Sequence, residues 1–458
     1  MIKVSTRKDQ KLAVFGLGAS GIAAACALVD GGARVVAWDD DAGSRDTAAR
    51  ESVPLSDPGA GVWSDADALV LSPGVPLTHP TPHPVVDRAR AAGCSIVGDI
   101  ELLVEARPEA TFVAVTGTNG KSTTTSLIGH ILAASGHEVQ IGGNLGPPAL
   151  SLAALSRGGI YVLELSSYQL DLCDRARFDI GVLLNVSPDH LDRHGDMNGY
   201  VAAKLRQFRD RAEGSQIAVV GVDDPHGRSL AADLERRPGW RVVPISVRER
   251  LSEGVSVIDG RLFDAPSAEA IGDLRPIETL PGAHNWQNAA AAYAVGRALG
   301  MEAAAIMERM ASFAGLAHRQ ELVAIIDGVR YVNDSKATNG EAAARALACY
   351  ETIHWIVGGL AKEDGLAPVG PHLSHVHHAY LIGESAERFA AELEGCVPVT
   401  RSNDLGSAVR AAHLAAREAG SVVLLSPACA SFDQWANFAQ RGDAFRDLVS
   451  ALASEGAS

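Results

Sequence analysis

The segment Thr116–Thr123 has the sequence TGTNGKST and lies between an apolar stretch, Thr111–Val115, and a stretch with helical spacing, Lys121–Ala134. A glycine-rich turn between a strand and a helix is typical of a phosphate-binding loop, because backbone N–H groups at the start of the helix can cradle phosphate oxygens. In such a loop Lys121 neutralises the β and γ phosphate oxygens, and the hydroxyl of Ser122 can bind Mg²⁺. The segment therefore predicts an ATP site.

One position of this loop departs from the pattern GxxxxGK[ST], because Val115 occupies the place of the first glycine. Two later segments add groups that suit phosphoryl transfer. Glu164 ends an apolar stretch and can bind Mg²⁺ there, although a capping or salt-bridged acid explains the residue equally well when it is taken alone. His190 is flanked by acids after the stretch Ile180–Val186, at the carboxyl edge where α/β sheets bind ligands.

A second glycine-rich turn, Gly16–Gly21 (GLGASG), matches GxGxxG between the apolar stretch Leu12–Phe15 and an alanine-rich helix. Asp39 and Asp40 end the next strand, where the ribose-binding acid of a dinucleotide fold would lie. Three interpretations stay open: a nicotinamide-dependent dehydrogenase, glycines that only let helix and strand pack closely, and a site for a nucleotide-sugar diphosphate. An ATP site in the same chain counts against the dehydrogenase, because hydride transfer does not use ATP.

The alternation of strands and helices predicts three consecutive α/β domains. We expect a Rossmann-like domain at 1–106, a central domain at 107–313 with a P-loop-type parallel sheet, and a second Rossmann-like domain at 314–458. A small antiparallel addition is expected from about Trp240 to Leu280, and a hairpin turn at Asp327–Gly328. Further strands are predicted at Arg34–Trp38, Val62–Ser72, Tyr161–Leu165, Ile180–Val186, Trp355–Val357, Tyr380–Ile382 and Val422–Leu425.

Composition narrows the class of protein. The chain has 458 residues and a formal net charge of −15, which argues against general binding to nucleic acid. Met1–Gln10 lacks the apolar core of a signal peptide, and no apolar run is long enough to span a membrane. Six cysteines without CxxC spacing indicate reduced thiols, so we expect a cytoplasmic protein with neither membrane nor nucleic-acid partners. Four histidines lack regular ligand spacing and are predicted to be solvent-facing loop residues rather than a metal site: His372, His375, His377 and His378.

Several segments resemble the Mur ligase family, and the resemblance covers nearly the whole chain. Besides the phosphate loop, Gly282–Asn288 (GAHNWQN) and Leu316–Glu321 (LAHRQE) are similar to patterns shared by members that add different amino acids and by folylpolyglutamate synthetases. Ser72–Val75, Asn333–Asn339 and Leu425–Gln434 (LSPACASFDQ) are similar to the members that add D-glutamate. The resemblance implies a monomeric, ATP-dependent ligase that joins D-glutamate to UDP-N-acetylmuramoyl-L-alanine through an acyl phosphate, in peptidoglycan precursor synthesis.

The resemblance also implies a role for each matching residue. ATP would be bound by Gly117, Thr118, Asn119, Gly120, Lys121, Ser122, Thr123, Asn285, Asn288, Arg319 and Asp334. The UDP-sugar would be bound by Gly18, Ala19, Ser20, Asp39, Asp40, Gly74 and Asn144. D-Glutamate would be bound by Lys336, Thr338, Lys362, Ser431, Phe432 and Phe438. Two Mg²⁺ ions would be held by Ser122, Glu164, His190 and a carbamylated Lys204, and the catalytic set would be Lys121, Glu164, His190, Lys204 and Arg319.

One segment departs from the family pattern. Gly358–Asp364 (GGLAKED) places its acid one residue earlier than GGxxKxxD does, so the pattern leaves the loop around Lys362 undetermined. Two other functions stay open. A folylpolyglutamate-type ligase would share the ATP loop without needing the Gly16–Gly21 domain, and a nucleotide-binding oxidoreductase or regulatory module would use that loop only to sense ATP.

Overall fold

The computed structural model describes residues 1–57, 63, 65–212, 214–362, 365–416, 418 and 420–456. Within these residues the strands form three sheets. The chain divides into two compact units: the first comprises Met1–Leu274 and Asn285–Ser312, and the second comprises Arg275–His284 and Phe313–Ser458. The first unit contains two of the sheets and the second unit contains the third.

The first sheet is parallel, with the strand order β2-β1-β3-β4. Leu12 and Val14 belong to one core cluster and Ala13 belongs to another, so the central strand is covered on both faces, as is usual for parallel sheets. The predicted strand Val62–Ser72 is shorter in the structure, and Val62 lies outside the described residues. The elements are β1 (Lys11–Phe15), α1 (Ala19–Asp30), β2 (Arg34–Trp38), α2 (Ala42–Arg50), β3 (Ala68–Leu71), α3 (Pro84–Ala91), β4 (Ser95–Val97) and α4 (Asp99–Ala106).

The second sheet has nine strands among the described residues, and its core is parallel. Its elements are β5 (Thr111–Thr116), α5 (Lys121–Ala134), β6 (Val139–Gly143), β7 (Ile160–Glu164), α6 (Ser167–Asp171), β8 (Ile180–Leu183), α7 (Leu191–His194), α8 (Met197–Leu205), β9 (Gln216–Gly221), α9 (Pro225–Glu235), β10 (Trp240–Ser246), β11 (Val255–Ile258), β12 (Arg261–Asp264) and β13 (Gly272–Asp273). Two further helices follow, α10 (Gly282–Ala298) and α11 (Ala303–Ala311). The strand order is β13-β12-β11-β10-β9-β8-β5-β7-β6.

The antiparallel addition is smaller than the sequence predicted. Strand β10 pairs in parallel with β9, because the helix α9 carries the chain back across the sheet between them. The antiparallel pairs are β11 with β12 and β12 with β13. Asp259 and Gly260, both with positive φ, make the two-residue turn between β11 and β12. The expectation that Trp240 begins an antiparallel segment was therefore wrong.

The third sheet has the order β14-β15-β19-β16-β17-β18, and β14 is its antiparallel strand. The predicted hairpin is confirmed, since Asp327 and Gly328 join β14 to β15 with positive φ. The elements are β14 (Glu321–Ile326), β15 (Val329–Asn333), α12 (Gly340–Leu347), β16 (Ile353–Gly358), β17 (Val376–Ile382), α13 (Ala386–Glu392), β18 (Val399–Asn403), α14 (Leu405–Ala415), β19 (Val422–Leu425) and α15 (Phe438–Gly456).

The four histidines are not loop residues. His377 and His378 lie in β17, where His378 Nε2 is 2.8 Å from the hydroxyl of Thr400 in the neighbouring strand. His372 and His375 lie in a 3₁₀ helix, and His375 Nδ1 is 3.1 Å from the Leu347 carbonyl oxygen. Polar ring nitrogens can occupy a strand when a neighbouring strand offers a partner, and the spacing in sequence does not reveal that partner.

Three α/β blocks are confirmed by these sheets, whereas the domain boundaries after 106 and 313 stay predictions. No helix in the described part of the chain is long and apolar enough to cross a membrane. The six cysteines are free thiols.

Candidate active site

The phosphate loop follows β5, which lies between β7 and β8 in the second sheet. Its last glycine, Gly120, has φ 83° and precedes α5. A side-chain carbon at Gly120 would come within 2.2 Å of Asn288 Oδ1, so only glycine fits between the loop and α10. The carboxyl end of β5, the start of α5 and one face of α10 therefore meet at this loop.

Residues outside the loop hold it in shape. The side chain of Asn185, just beyond β8, accepts a hydrogen bond from Asn119 N at 3.0 Å and donates to Gln287 Oε1 at 2.8 Å. The hydroxyl of Thr118 is 3.1 Å from Tyr200 Oη. The sequence analysis missed Asn185 and Tyr200. Asn185 had a usable signal, because it lies at the carboxyl end of the predicted buried strand Ile180–Val186, at the edge where ligands bind.

Two lysines converge on one carbonyl oxygen of the loop. Lys121 Nζ donates to Gly117 O at 3.0 Å and to Thr118 O at 2.9 Å, and Lys204 Nζ donates to Gly117 O at 2.9 Å. Lys204 is 1% exposed, and its Nζ lies 4.5 Å from the ring centre of Tyr200. Burial, and then the charge of Lys121, lower the pKa of Lys204 to about 7. Lys204 is therefore not a solvated surface lysine.

Glu164 has one carboxylate oxygen engaged and one without a partner. Asn144 Nδ2 donates to Glu164 Oε1 at 2.7 Å, while Oε2 is buried and makes no hydrogen bond within the described structure. Glu164 is the last residue of β7 and pairs with Val115 of β5, the residue that directly precedes the phosphate loop. A buried anionic oxygen in this position suits a cation, and the hydroxyl of Ser122, at the start of α5, is of the hard oxygen type that Mg²⁺ prefers.

The described residues contain no preformed group of three or more His, Cys, Asp or Glu side chains able to hold a metal ion. Mg²⁺ commonly takes one or two carboxylates and completes its shell with water and phosphate oxygens. The residues present fit that kind of site.

His190 lies at the same edge of the second sheet. It has φ 51°, its Nδ1 is 3.0 Å from Tyr168 Oη, and its Nε2 is 3.4 Å from Asp189 Oδ2. The ring of His190 also lies near that of Tyr200, which contacts Lys204. The helix α8 thus brings Lys204 to the group of residues that follows β8.

Asn285 and Asn288, two of the residues assigned to ATP, lie in α10. Asn288 Oδ1 accepts a hydrogen bond from Thr124 Oγ1 at 3.1 Å, and Asn288 Nδ2 donates to Asn285 Oδ1 at 3.1 Å. Both side chains are buried. Their hydrogen bonds place them against α5, beside the phosphate loop.

In the second unit, Arg319 and Asp334 lie near each other. Asp334 accepts hydrogen bonds from Gln320 N at 3.2 Å and from Ser426 Oγ at 2.8 Å. Burial raises the pKa of Asp334 to about 7, while the bond from Ser426 and the charge of Arg319 oppose that rise. Arg319 Nε is buried without a hydrogen-bond partner among the described residues, so this guanidinium can still donate.

The residues assigned to D-glutamate follow three neighbouring strands. Lys336 and Thr338 come after β15, Lys362 after β16, and Ser431 and Phe432 after β19. Lys336 Nζ is 5.6 Å from the ring centre of Phe438 at the start of α15. Ser431 is buried, whereas Phe432 is 70% exposed. The acids Glu363 and Asp364 of the departing segment lie outside the described residues.

Most of the residues assigned to the UDP-sugar lie at or near the first glycine turn, whereas Asn144 follows β6 in the second sheet and contacts Glu164. Asp39 accepts hydrogen bonds from Leu17 N at 2.6 Å and from Asp41 N at 2.8 Å, so it braces the turn. Asp40 Oδ2 is 3.0 Å from His83 Nε2. Side-chain carbons at Gly18 and Gly74 would meet open space, which leaves room for a ligand. Ala19 and Ser20 form the first turn of α1.

Comparison with known proteins agrees with this arrangement. Residues 115–296 match the Mur ligase middle domain, and residues 318–429 match the family model described as Mur ligase, glutamate ligase domain. The chain is 51% identical to the UDP-N-acetylmuramoylalanine–D-glutamate ligase of Paramagnetospirillum magneticum, with 100% of both chains covered. It is 52% identical to the enzyme of the same name from Rhodospirillum rubrum, covering 97% of this chain and 95% of that one.

Solved structures share the fold at low identity. A UDP-N-acetylmuramate–alanine ligase from Thermotoga maritima has a TM-score of 0.57 and 16% identity, with 96% of this chain and 99% of that chain covered. A pseudomurein peptide ligase type C from Methanothermus fervidus has a TM-score of 0.56 and 17% identity, with 97% and 100% covered.

Proposed function

Because the chain belongs to the Mur ligase family, we propose that it joins D-glutamate to UDP-N-acetylmuramoyl-L-alanine and converts ATP to ADP and phosphate. The observation that carries this proposal is the full-length identity of about half with relatives named for that reaction. The phosphate loop, with Lys121 at the start of α5, supplies the site where ATP would react.

The reaction needs an activated carboxylate, because the amine would otherwise have to displace an oxide or hydroxide ion from the carboxyl carbon. Such an ion is too basic to be a good leaving group. The carboxylate of the L-alanyl group attacks the γ-phosphorus of ATP, forming an acyl phosphate and releasing ADP. The amine of D-glutamate then attacks the acyl carbon, and phosphate leaves from the tetrahedral intermediate as the amine loses a proton. No protein nucleophile is needed, so the residues bind, align and neutralise charge.

Lys121 and Arg319 are the cations that we assign to the phosphates. Lys121 Nζ donates hydrogen bonds to two carbonyl oxygens of its own loop, and rotation of the side chain would bring it to a phosphate oxygen. Arg319 has a planar guanidinium with an unengaged Nε, which suits a phosphoryl group carrying several oxygens. Asn285 and Asn288 would bind adenine and Asp334 the ribose.

Mg²⁺ would be held by Ser122, Glu164, His190 and a carbamylated Lys204, and when bound it neutralises phosphate charge. We propose two ions. The orphaned oxygen of Glu164 supports the first. The burial of Lys204 supports the second, because a buried neutral amine can react with CO₂ to give a carbamate whose two oxygens bind cations.

We assign the D-glutamate pocket from the positive charge of its lysines and the UDP-sugar site from the open space beside the first glycine turn. D-Glutamate carries two carboxylates, and Lys336 and Lys362 are the cations of the pocket that we assign to it, with Thr338, Ser431, Phe432 and Phe438 around them. The UDP-sugar would lie along Gly18–Ser20, Asp39, Asp40, Gly74 and Asn144. We also propose a monomer in the cytoplasm, where ATP and UDP-sugars are available.

Phosphate release in the presence of each substrate alone and in combination tests the function. Release should require ATP, UDP-N-acetylmuramoyl-L-alanine and D-glutamate together. A folylpolyglutamate-type ligase would respond to a folate and L-glutamate instead, and an oxidoreductase or regulatory module would show no dependence on the two acceptors.

The Lys121→Ala variant should lose activity by about 10²-fold or more, since a transition-state cation is removed. Lys8→Ala, which changes an exposed lysine near the N-terminus, is the matched control. Activity of Lys121→Ala within a few-fold of the wild type would sink the assignment of the loop.

A further inference from the structure

Arg441 is a fully buried arginine in the first turn of α15, and its hydrogen bonds are all to uncharged acceptors. Nε donates to Ser335 Oγ at 3.0 Å, and Nη2 donates to Ser335 O at 2.8 Å and to Cys429 O at 3.0 Å. Nη1 donates to Ala430 O at 3.4 Å. No carboxylate in the described chain lies within ion-pair distance of this guanidinium, although the field of Asp433 favours its charge.

Burying a cation without a paired carboxylate is costly, and a well-packed apolar side chain would often be at least as stable. Burial accordingly lowers the pKa of Arg441 to about 10. Stability alone therefore gives no reason for a guanidinium at this place. Its planar fork, however, can donate to several backbone oxygens in fixed directions at once.

The acceptors of Arg441 belong to the segments that carry the proposed glutamate pocket. Ser335 directly precedes Lys336, and Ala430 directly precedes Ser431. The hydroxyl of Ser335 also donates to Phe438 O at 2.7 Å, which ties in the start of α15.

A third segment is joined through Ala430. Ala430 and Leu360 exchange two backbone hydrogen bonds, of 2.9 and 3.0 Å, and Leu360 lies two residues before Lys362. One guanidinium thus connects the loops that follow β15, β16 and β19.

We propose that Arg441 is a positioning residue for the amino-acid substrate: it holds these three loops in one arrangement, so that their cations and hydroxyls meet both carboxylates of the substrate. This inference rests on the proposed glutamate pocket. Arg441 itself is too deeply buried to touch the substrate. The ribose-binding residue Asp334 is held separately, by Gln320 and Ser426, so ATP binding should depend less on Arg441.

Steady-state kinetics of Arg441→Lys and Ser335→Ala test the proposal in the full-length enzyme. Lysine keeps the charge but cannot reach all four acceptors, and the serine change removes one acceptor with little loss of volume. We expect the KM for D-glutamate to rise about tenfold or more, with the KM values for ATP and the UDP-sugar changed less than about twofold. Arg401→Ala, an exposed arginine paired with Glu387, is the matched control.

Chemical rescue adds a readout that a purely structural role would not give. Millimolar guanidinium chloride should lower the KM of Arg441→Ala for D-glutamate, whereas the same concentration of sodium chloride should not. If Arg441→Ala does not fold, Ser335→Ala still decides the question.

An unchanged KM for D-glutamate in folded Ser335→Ala and Arg441→Lys would overturn the proposal. An equal loss for all three substrates, together with a lowered Tm, would overturn it as well. Failure of the proposed function would look different, because the wild type itself would then show no dependence on D-glutamate.

Discussion

Lys204 shows how surroundings change the chemistry of a single residue. In water a lysine is a cation, which would repel Mg²⁺. Here its side chain is buried, its Nζ donates to Gly117 O, and the charge of Lys121 lies close by. Burial and a neighbouring cation both favour the neutral amine, the form that reacts with CO₂.

At this scale we predict that Lys204→Ala is nearly inactive and that acetate restores part of the activity by supplying carboxylate oxygens in the vacated space. The rate of phosphate release, measured against acetate concentration, checks the prediction. Lys8→Ala should respond to acetate no more than the wild type does. Full activity of Lys204→Ala without acetate would refute the role of a carbamate.

At the scale of an element, the glycines of the first turn differ in whether close packing or room for a ligand accounts for them, two explanations that the sequence left open. A side-chain carbon at Gly21 would lie 1.8 Å from Gly16 O, so this glycine lets α1 pack against the turn. A side-chain carbon at Gly18 would meet open space, and Gly18 has an ordinary backbone conformation. Packing explains Gly21 but does not explain Gly18, and we propose that Gly18 gives a ligand access to the turn.

The variants Gly18→Ala and Gly21→Ala are therefore expected to differ, one in substrate binding and the other in stability. Gly21→Ala should lower the Tm by several degrees, because the added carbon overlaps the backbone; overpacking typically costs about 1–3 kcal/mol. Gly18→Ala should keep the wild-type Tm and raise the KM for the UDP-sugar several-fold. Thermal melts and kinetics of both variants check this, and an equal drop in Tm for the two would contradict it.

At the scale of the whole molecule, a buried acid lies where the two sheets of the first unit share a core. The core cluster combines Leu12 and Val14 from the first sheet with Phe112 and Leu163 from the second. Asp99 begins α4 between these sheets, and its Oδ2 is buried without a hydrogen-bond partner in the described residues. Burial raises the pKa of Asp99 to about 6, and the hydrogen bond from Ile100 N opposes that rise.

This pKa predicts a pH-dependent stability. The raised pKa means that Asp99 keeps its proton in the folded state up to about pH 6. Between roughly pH 4 and 6 the unfolded state therefore binds fewer protons than the folded state does. The free energy of unfolding accordingly falls as the pH rises through that window. Asp99→Asn should remove this loss. The difference in Tm between Asp99→Asn and the wild type should be about 3 °C more in favour of the variant at pH 8 than at pH 4.

Thermal unfolding at the two pH values checks the expectation for Asp99, with Asp46→Asn, an exposed acid in α2, as the control. The same Tm difference at both pH values would show that the carboxyl is not the cause.

The local patterns were sufficient for much of the fold. The turn from β5 into α5, the hairpin at Asp327–Gly328 and the strand Val422–Leu425 were predicted from a few neighbouring residues, because turn chemistry and apolar runs act over short distances. The motifs likewise assigned Lys121 and Arg319 to the ATP phosphates, and these assignments stay predictions.

The remaining features depend on partners distant in sequence. Periodicity could not give the parallel pairing of β10, because the crossover through α9 decides that direction. Nor could it show that His378 bonds to a neighbouring strand. Lys121 and Lys204 share the carbonyl of Gly117, and Arg441 reaches Ser335 across 106 positions, only because adjacent strands bring their loops to one edge of a sheet. By itself the sequence determined which groups are available, and the tertiary structure decided which of them meet, since burial and hydrogen bonding are properties of neighbours in space.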